Sequence, residues 1–514
     1  MDNQTHPTNL DAAYQGALDF LYQFVDYSLT RNLRYSPEKF GLSRMYELME
    51  HLGNPHRAYP VIHVAGTKGK GSTAAMIASA CQAAGYRVGF YTSPHLIEFT
   101  ERIQVNRQEI SKVELVHLVD EIRPLTQVVE KLTTFELTTA IAFLHFARQK
   151  VDVAVVEVGL GGRLDATNVV SPLVSVITSL SIDHMAVLGN TLALIAAEKA
   201  GIIKPERPVV LAPQKDEARL VVERIAAERN SPLTEVGRDL FFAPWSRTLD
   251  GQVMLVWGAE EQPLVNEFIE SAGRSAWEPV RLNIPLLGYH QVQNAATAYA
   301  ALQVANREGL LVSSQAIRQG FAQTHWGGRF ELLRRNPPIV LDSAHNQDSA
   351  LKLRLTIDDY FPGKPVILVF GASEDKDVCG MFSELLPRVR KVIATQSTHP
   401  RALDPNQLVE MAHRCGCSAM AVVPIEEALL EASRLAGTEG MVVVTGPALE
   451  VLVVMVMAVV LVTGLMLVVV LEDGPPVEVV VDSIVVVVHG SIVVVVVDSI
   501  HRPGFPRAAK HAPG

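Results

Sequence analysis

The sequence predicts an α/β protein built from two sheet-based domains, on three observations. Short apolar runs alternate with alanine-rich helical stretches from about residue 60, the pattern of βαβ units around a mainly parallel sheet. A glycine-rich loop, Gly66-Thr67-Lys68-Gly69-Lys70-Gly71-Ser72, separates the first strand-like run from the first helix-like run. After about residue 318 the alternation lapses and begins again.

Taken in order, the first unit reads as strand YPVIHV (59–64), the loop, helix TAAMIASACQAAG (73–85) and strand YRVGFYTS (86–93). Buried strands follow at VDVAVVEV (151–158) and LVSVITS (173–179), each breaking into polar residues where a parallel strand should end. Ligand sites collect at such ends. The stretch 230–285, with LFFAPW and QVMLVWG, reads as short antiparallel strands elaborating the first domain. The second series runs through IVLDS (339–343), VILVFG (366–371), KVIAT (391–395), AMAVV (419–423) and MVVVT (441–445). The expected organisation is a nucleotide-binding domain over 1–318, a smaller Rossmann-like α/β domain over 319–446, and a valine-rich low-complexity tail over 447–514.

That tail stands apart. Its run VLVVMVMAVVLVTGLMLVVVL (451–471) carries no charge and is long enough to cross a bilayer. Valine is also strand-prone, and the near-repeats DSIVVVVHGSIVVVVVDSI are low-complexity, so an aggregation-prone extension or an altered reading frame is favoured over an anchor. The pattern of the second domain breaks at Pro447, which leaves open whether that domain lacks its last native edge or borrows a strand from the valines.

With 514 residues, 48% of them hydrophobic, the chain can fill more than one core. A net charge of -10 and a pI near 5.9 argue against a basic nucleic-acid face and leave anion binding to local pockets. Four cysteines without framework spacing and a polar N-terminus without a signal-peptide pattern point to a reduced, cytoplasmic protein.

Between a strand and a helix, the loop amides and the helix N-terminus can surround a phosphate, with Lys70 reaching the outer phosphates. The spacing is not the strict G-x-x-x-x-G-K-[ST] form: Val64 stands where the first glycine belongs, and Gly71 follows the lysine. Glu157 ends an otherwise apolar strand, where a carboxylate is costly unless it meets a cation.

The stretch LGNPHRAYPVIHVAGTKGKGSTAA (52–75), followed by YTSPHL (91–96), closely resembles the folylpolyglutamate synthase and dihydrofolate synthase family of the Mur ligases. The resemblance continues through VVEVGLGGRLDATN, SIDHMAVLGNT, AAEKAGIIKP, GYHQVQNAATA, WGGRF, LDSAHN and GASEDKD, covering roughly 12–446 in order. It departs at Ser343, where the family usually has glycine, and at Gln347, where proline is usual.

The resemblance implies a central Mur ligase domain with a P-loop, a Rossmann-like C-terminal domain and an active site between them. It implies that the loop Gly66 to Ser72, with Asn294, Arg329, Asp342 and neighbouring His345, meets ATP, and that Ser93, Glu157 and His184 hold magnesium. The lysine matching Lys199 is carbamylated in the family and supports a second magnesium, so Lys70, His184 and Lys199 form the expected catalytic set. Thr133, Thr134, Phe135 and Glu136, with Leu164, Asp165 and Ala166, match places that hold a pterin.

The implied reaction joins L-glutamate to the carboxylate of a reduced folate or dihydropteroate through an acyl phosphate, releasing ADP and phosphate. A monovalent cation is compatible with it, and the expected working form is a monomer. Two other readings rank lower: a cell-wall Mur-type ligase, disfavoured by the short segment ahead of the loop, and a nucleotide-dependent switch, which would not need Lys199, Arg329 and Asp342 together.

Overall fold

A computed structural model describes residues 7–24, 41–182, 188–374, 376–396 and 401–446, together with three strands between 477 and 497. His184, Pro447 and the run 451–471 lie outside the described residues. The chain forms two compact units, Met1–Ala458 and Val459–Gly514.

The first sheet of the larger unit comprises β1 (Val61–Ala65), β2 (Val88–Tyr91), β3 (Ile103–Val105), β4 (Gln108–Glu109), β5 (Val153–Glu157), β6 (Val174–Ile177), β7 (Val209–Leu211) and β8 (Leu233–Glu235). Their spatial order is β4-β3-β2-β5-β1-β6-β7-β8, with every pairing parallel except β2 with β3 and β3 with β4 at one edge. Every residue of β1, β2, β5, β6 and β7 is buried, which explains the unbroken apolar runs: helices cover both faces of a parallel sheet.

On one face lies the helix Lys70–Ala83, built largely from alanine and other small residues. It packs against the helices Tyr289–Arg307 and Ser314–Ala322. The approach to the latter is so close that a Cβ at Gly320 would sit 2.5 Å from the backbone nitrogen of Ala80. On the other face, side chains of Pro7–Tyr22, Lys112–Ile122 and Thr134–Arg148 enclose Val61, Val156 and Tyr91.

The stretch expected to be antiparallel is so: β9 (Leu240–Thr248), β10 (Gly251–Gly258) and β11 (Val280–Ile284) make a three-stranded antiparallel sheet. The helix Ser314–Ala322 and Trp326 pack with the first sheet's core, so that core gathers residues beyond 318.

The third sheet holds β12 (Glu331–Arg335), β13 (Pro338–Asp342), β14 (Val366–Phe370), β15 (Val389–Ala394), β16 (Ala419–Ala421) and β17 (Met441–Thr445), in the order β12-β13-β17-β14-β15-β16. Only β12 runs antiparallel. The closing strand, whose loss as an edge the sequence left open, is central: β17 pairs with β13 on one side and β14 on the other, and all five of its residues are buried. The edges are β12 and β16.

In the smaller unit, β18 (Val477–Val481), β19 (Ile484–His489) and β20 (Ile492–Val497) form an antiparallel meander, the outcome that valine's strand preference favours. Among the described residues no helix is long and apolar enough to cross a membrane.

Candidate active site

Strand β1 lies in the middle of its sheet, paired on either side with β5 and β6, and its C-terminal end delivers the glycine-rich loop. Gly66 (φ 154°) and Gly69 (φ 84°) take backbone angles that side chains resist. Space forbids a side chain at Gly69 as well, because Asn294 from the helix Tyr289–Arg307 lies directly against it. The amides of Thr67 and Lys68 both donate to the Ser179 carbonyl at 3.0 Å, and the Thr178 hydroxyl donates to the Lys68 carbonyl at 2.8 Å. The end of β6 thus ties down the first half of the loop. Lys70, Gly71 and Ser72 open the helix Lys70–Ala83, so the helix N-terminus faces the same point.

Val64 pairs in register with Glu157 on β5, which sets the carboxylate beside the loop. Glu157 lies 3.8 Å from the Lys70 ammonium and accepts from the Ser93 amide at 3.4 Å. Burial raises its pKa, against the opposing pull of Lys70 and the Ser93 amide. A buried carboxylate with one distant cation and one long hydrogen bond has unused acceptor capacity, which suits a divalent ion. Of the three expected metal ligands, Ser93 and Glu157 converge here. Among the described residues no group of three or more His, Cys, Asp or Glu could hold a metal.

Lys199 is not the solvated lysine its sequence surroundings suggest. It is buried, and its ammonium donates to the Gly66 carbonyl at 2.9 Å.

From the third sheet and the loops beside it come Arg329, Asp342 and His345. Asp342, at the end of β13, accepts from the amides of Phe330 (2.8 Å) and Ala344 (2.9 Å), fixing the loops on either side of it. Burial raises its pKa to about 6, opposed chiefly by Arg329 and those two amides. The guanidinium of Arg329 donates to the Gly328 carbonyl and to the Ser343 hydroxyl. Burial lowers its pKa, which nearby Asp342 and Glu157 push back up. Serine at 343, a departure from the family pattern, therefore serves as a ligand for Arg329. Across the cleft, Lys68 Nζ lies 3.0 Å from His345 Nε2. A cavity of about 550 Å³ runs between these groups, with Gly71, Ser93, Glu157, Arg329, Ser343 and His345 in its wall.

The expected pterin residues divide. Thr133 caps the helix Thr134–Arg148 in a reciprocal box with Glu136, Arg44 pairs with Glu136 at 3.2 Å, and Thr134 donates to the Leu21 carbonyl. Phe135 lies near Tyr91 and so close over Gly159 that a Cβ there would be 2.5 Å away. Asp165 is buried with a raised pKa, caused by burial and opposed by Thr167 and the Leu160 amide. The Thr167 hydroxyl lies 2.5 Å from Asp165 Oδ1 and 2.8 Å from His63 Nε2, bridging them. Leu164 is half-buried and Ala166 buried beside it.

Sequence reasoning did not single out Thr178, His63, Thr167, Arg107 or Trp326. His63, Thr167 and Trp326 carried a signal, since each lies in a segment of the family resemblance, whereas Thr178 and Arg107 carried none.

A phosphate-type loop, a buried carboxylate at the neighbouring strand end and an arginine from a second sheet define the Mur ligase class. Models of the Mur ligase middle domain and of the Mur ligase glutamate ligase domain match residues 64–302 and 328–448. The dihydrofolate synthase/folylpolyglutamate synthase of Bacillus subtilis is 39% identical over 397 residues, 76% of this chain and 86% of the relative. The folylpolyglutamate synthase of Mycobacterium tuberculosis complexed with ADP superposes with a TM-score of 0.74 at 32% identity, covering 85% of this chain and 97% of that one. E. coli FolC in complex with DHPP and ADP gives 0.73 at 30% identity, covering 88% and 98%. The chain belongs to the folylpolyglutamate synthase/dihydrofolate synthase family and is an ATP-dependent ligase.

Proposed function

We propose that this ligase adds L-glutamate to the carboxylate of a reduced folate or dihydropteroate, working between two lobes that meet near Gly327. The observation that carries the reading is one cavity walled by Gly71 of the phosphate loop, Glu157, Arg329 and His345, with Lys68 of the same loop meeting His345 at 3.0 Å.

In this reading the phosphate loop Gly66 to Ser72 holds the ATP phosphates through its second half, where the amides open the helix Lys70–Ala83, while the Thr67 and Lys68 amides anchor the loop to Ser179 and Asn294 keeps it in its bound shape. Lys70 and Arg329 offset charge as the substrate carboxylate attacks the γ-phosphate and ADP leaves. The amine of glutamate then displaces phosphate from the acyl phosphate, forming the amide, so no protein nucleophile is required. Approach of the lobes shields the acyl phosphate from water. Ser93 and Glu157, with His184, would hold magnesium, which supplies charge neutralisation and alignment at the phosphates. A second magnesium, a carbamylated Lys199 and a monovalent cation belong to the same proposal, and intact-mass analysis with added bicarbonate tests the carbamate. Phe135 and Asp165 face the pterin, while Thr133, Thr134 and Glu136 hold the helix that carries Phe135. The enzyme works as a cytoplasmic monomer.

The test is incubation with Mg-ATP and L-glutamate, offering dihydropteroate and tetrahydrofolate separately and identifying products by mass. Glutamate added to either acceptor supports the reading, and the acceptor used states which synthase it is. ADP release that ignores both acceptors sinks it in favour of a nucleotide switch, and turnover only with a nucleotide-sugar peptide favours a cell-wall ligase.

A further inference from the structure

The hairpin that joins β3 to β4 turns on Asn106 and Arg107, both left-handed, with φ of 51° and 64°. An arginine in that region is uncommon and costs conformational energy, which points to a job for its side chain. The guanidinium lies 5.0 Å from the Phe90 ring centre and 5.8 Å from that of Trp326, and it donates to the His325 carbonyl at 2.5 Å. The rings of Phe90 and Trp326 meet edge to face at 5.7 Å. Arg107 therefore binds Trp326 twice, through its ring and through the preceding peptide.

Trp326 also lies on the phosphate loop. A Cβ at Gly71 would be 2.7 Å from Trp326 Cζ2, so the indole occupies the space a side chain there would take. Immediately after it, Gly327 passes close to Leu96, and Gly328 turns with φ 66°. Arg329 follows, its guanidinium bound back to the Gly328 carbonyl and to Ser343. One packed ring is thus followed by two glycines and then by the arginine that the proposed function sets against phosphate.

We propose that Trp326, seated by Arg107, is a positioning residue: it fixes the start of the Gly327–Gly328 turn against the phosphate loop and so sets where Arg329 stands in the cleft. The inference rests on the reading of Arg329 as a phosphate ligand. It makes Arg107 and Trp326, which also line the cavity, matter for nucleotide use through Arg329.

Two measurements on the full chain test it. The first is a double-mutant cycle on kcat/KM for ATP. Arg107→Met, which keeps the apolar stem, should cost about 10-fold, and Arg107→Met in an Arg329→Ala background should cost almost nothing further, as coupled residues require. Trp326→Phe should retain more activity than Trp326→Ala. Independent, multiplying losses overturn the clamp. The second is acrylamide quenching of Trp326 fluorescence after Trp245, Trp257 and Trp277 are replaced by Phe; Arg107→Met should make Trp326 more accessible, and unchanged quenching also overturns the clamp. A silent Arg329→Ala together with an unseated Trp326 overturns the phosphate reading of Arg329 and, with it, the functional half of the inference.

Discussion

The Lys68 ammonium and the imidazole of His345, 277 residues apart in the chain, meet at 3.0 Å across the cleft. His345 Nδ1 lies 2.8 Å from the Ser343 carbonyl, so Nδ1 carries the proton and Nε2 accepts from Lys68. This contact joins the phosphate loop to the loop after β13 at the point where the proposed reaction needs both.

His345→Ala should lower kcat/KM for ATP by about 10-fold, while shifting the stability of this half-buried site by no more than about 1 kcal/mol. Coupled ADP-release kinetics and urea unfolding of the same preparation check the two halves separately.

Glu157→Gln keeps the shape of the strand end but removes the charge that would hold magnesium. The concentration of Mg2+ for half-maximal activity should rise by roughly 10-fold or more. Stability should stay level or increase, because burial disfavours the ionised carboxylate in the fold. A magnesium titration unchanged by the substitution would remove Glu157 from the metal site.

The Thr167 hydroxyl bridges Asp165 and His63 inside the protein. Thr167→Val leaves both without their shared partner and should cost about 1–3 kcal/mol in urea unfolding, the range for a buried polar group left unsatisfied. Because Asp165 keeps only the Leu160 and Thr167 amides, the KM for the pterin substrate should rise more than the KM for ATP.

Stability should fall in acid partly through His63, whose pKa burial lowers to about 3. Between pH 6.5 and 3 the unfolded chain takes up a proton that the folded chain refuses, so stability is lost as pH falls through that window. The slope from a fully buried histidine reaches up to about 1.4 kcal/mol per pH unit. His63→Gln should flatten it, as read from urea midpoints at pH 7 and pH 5.

Truncation after Gly446 should leave melting temperature and ADP release within error of the full chain, because β17 already pairs on both sides. Truncation before Met441 withdraws the central strand of the third sheet and should prevent folding.

The α/β class, the strands β1, β2, β5, β6 and β13 to β17, and the phosphate loop were legible in the sequence because each rests on local chemistry, whereas the short strands β3, β4, β7, β8 and β12 were not. Unbroken apolar runs specify strands covered on both faces, and Gly66 and Gly69 specify a loop only glycine can form. The resemblance then nominated Glu157, Arg329 and Asp342. Tertiary structure alone decided which surroundings those residues meet. No periodicity announces that Lys199 is buried on the Gly66 carbonyl, that Thr133 and Glu136 spend their polar atoms on a helix cap, or that β17 enters the middle of its sheet. Nor does it announce that Arg107 and Trp326, 219 positions apart, stack beside Phe90. Such contacts depend on how the chain returns on itself, and the physical cost of burying a charge or an indole is set by partners that lie far away in sequence.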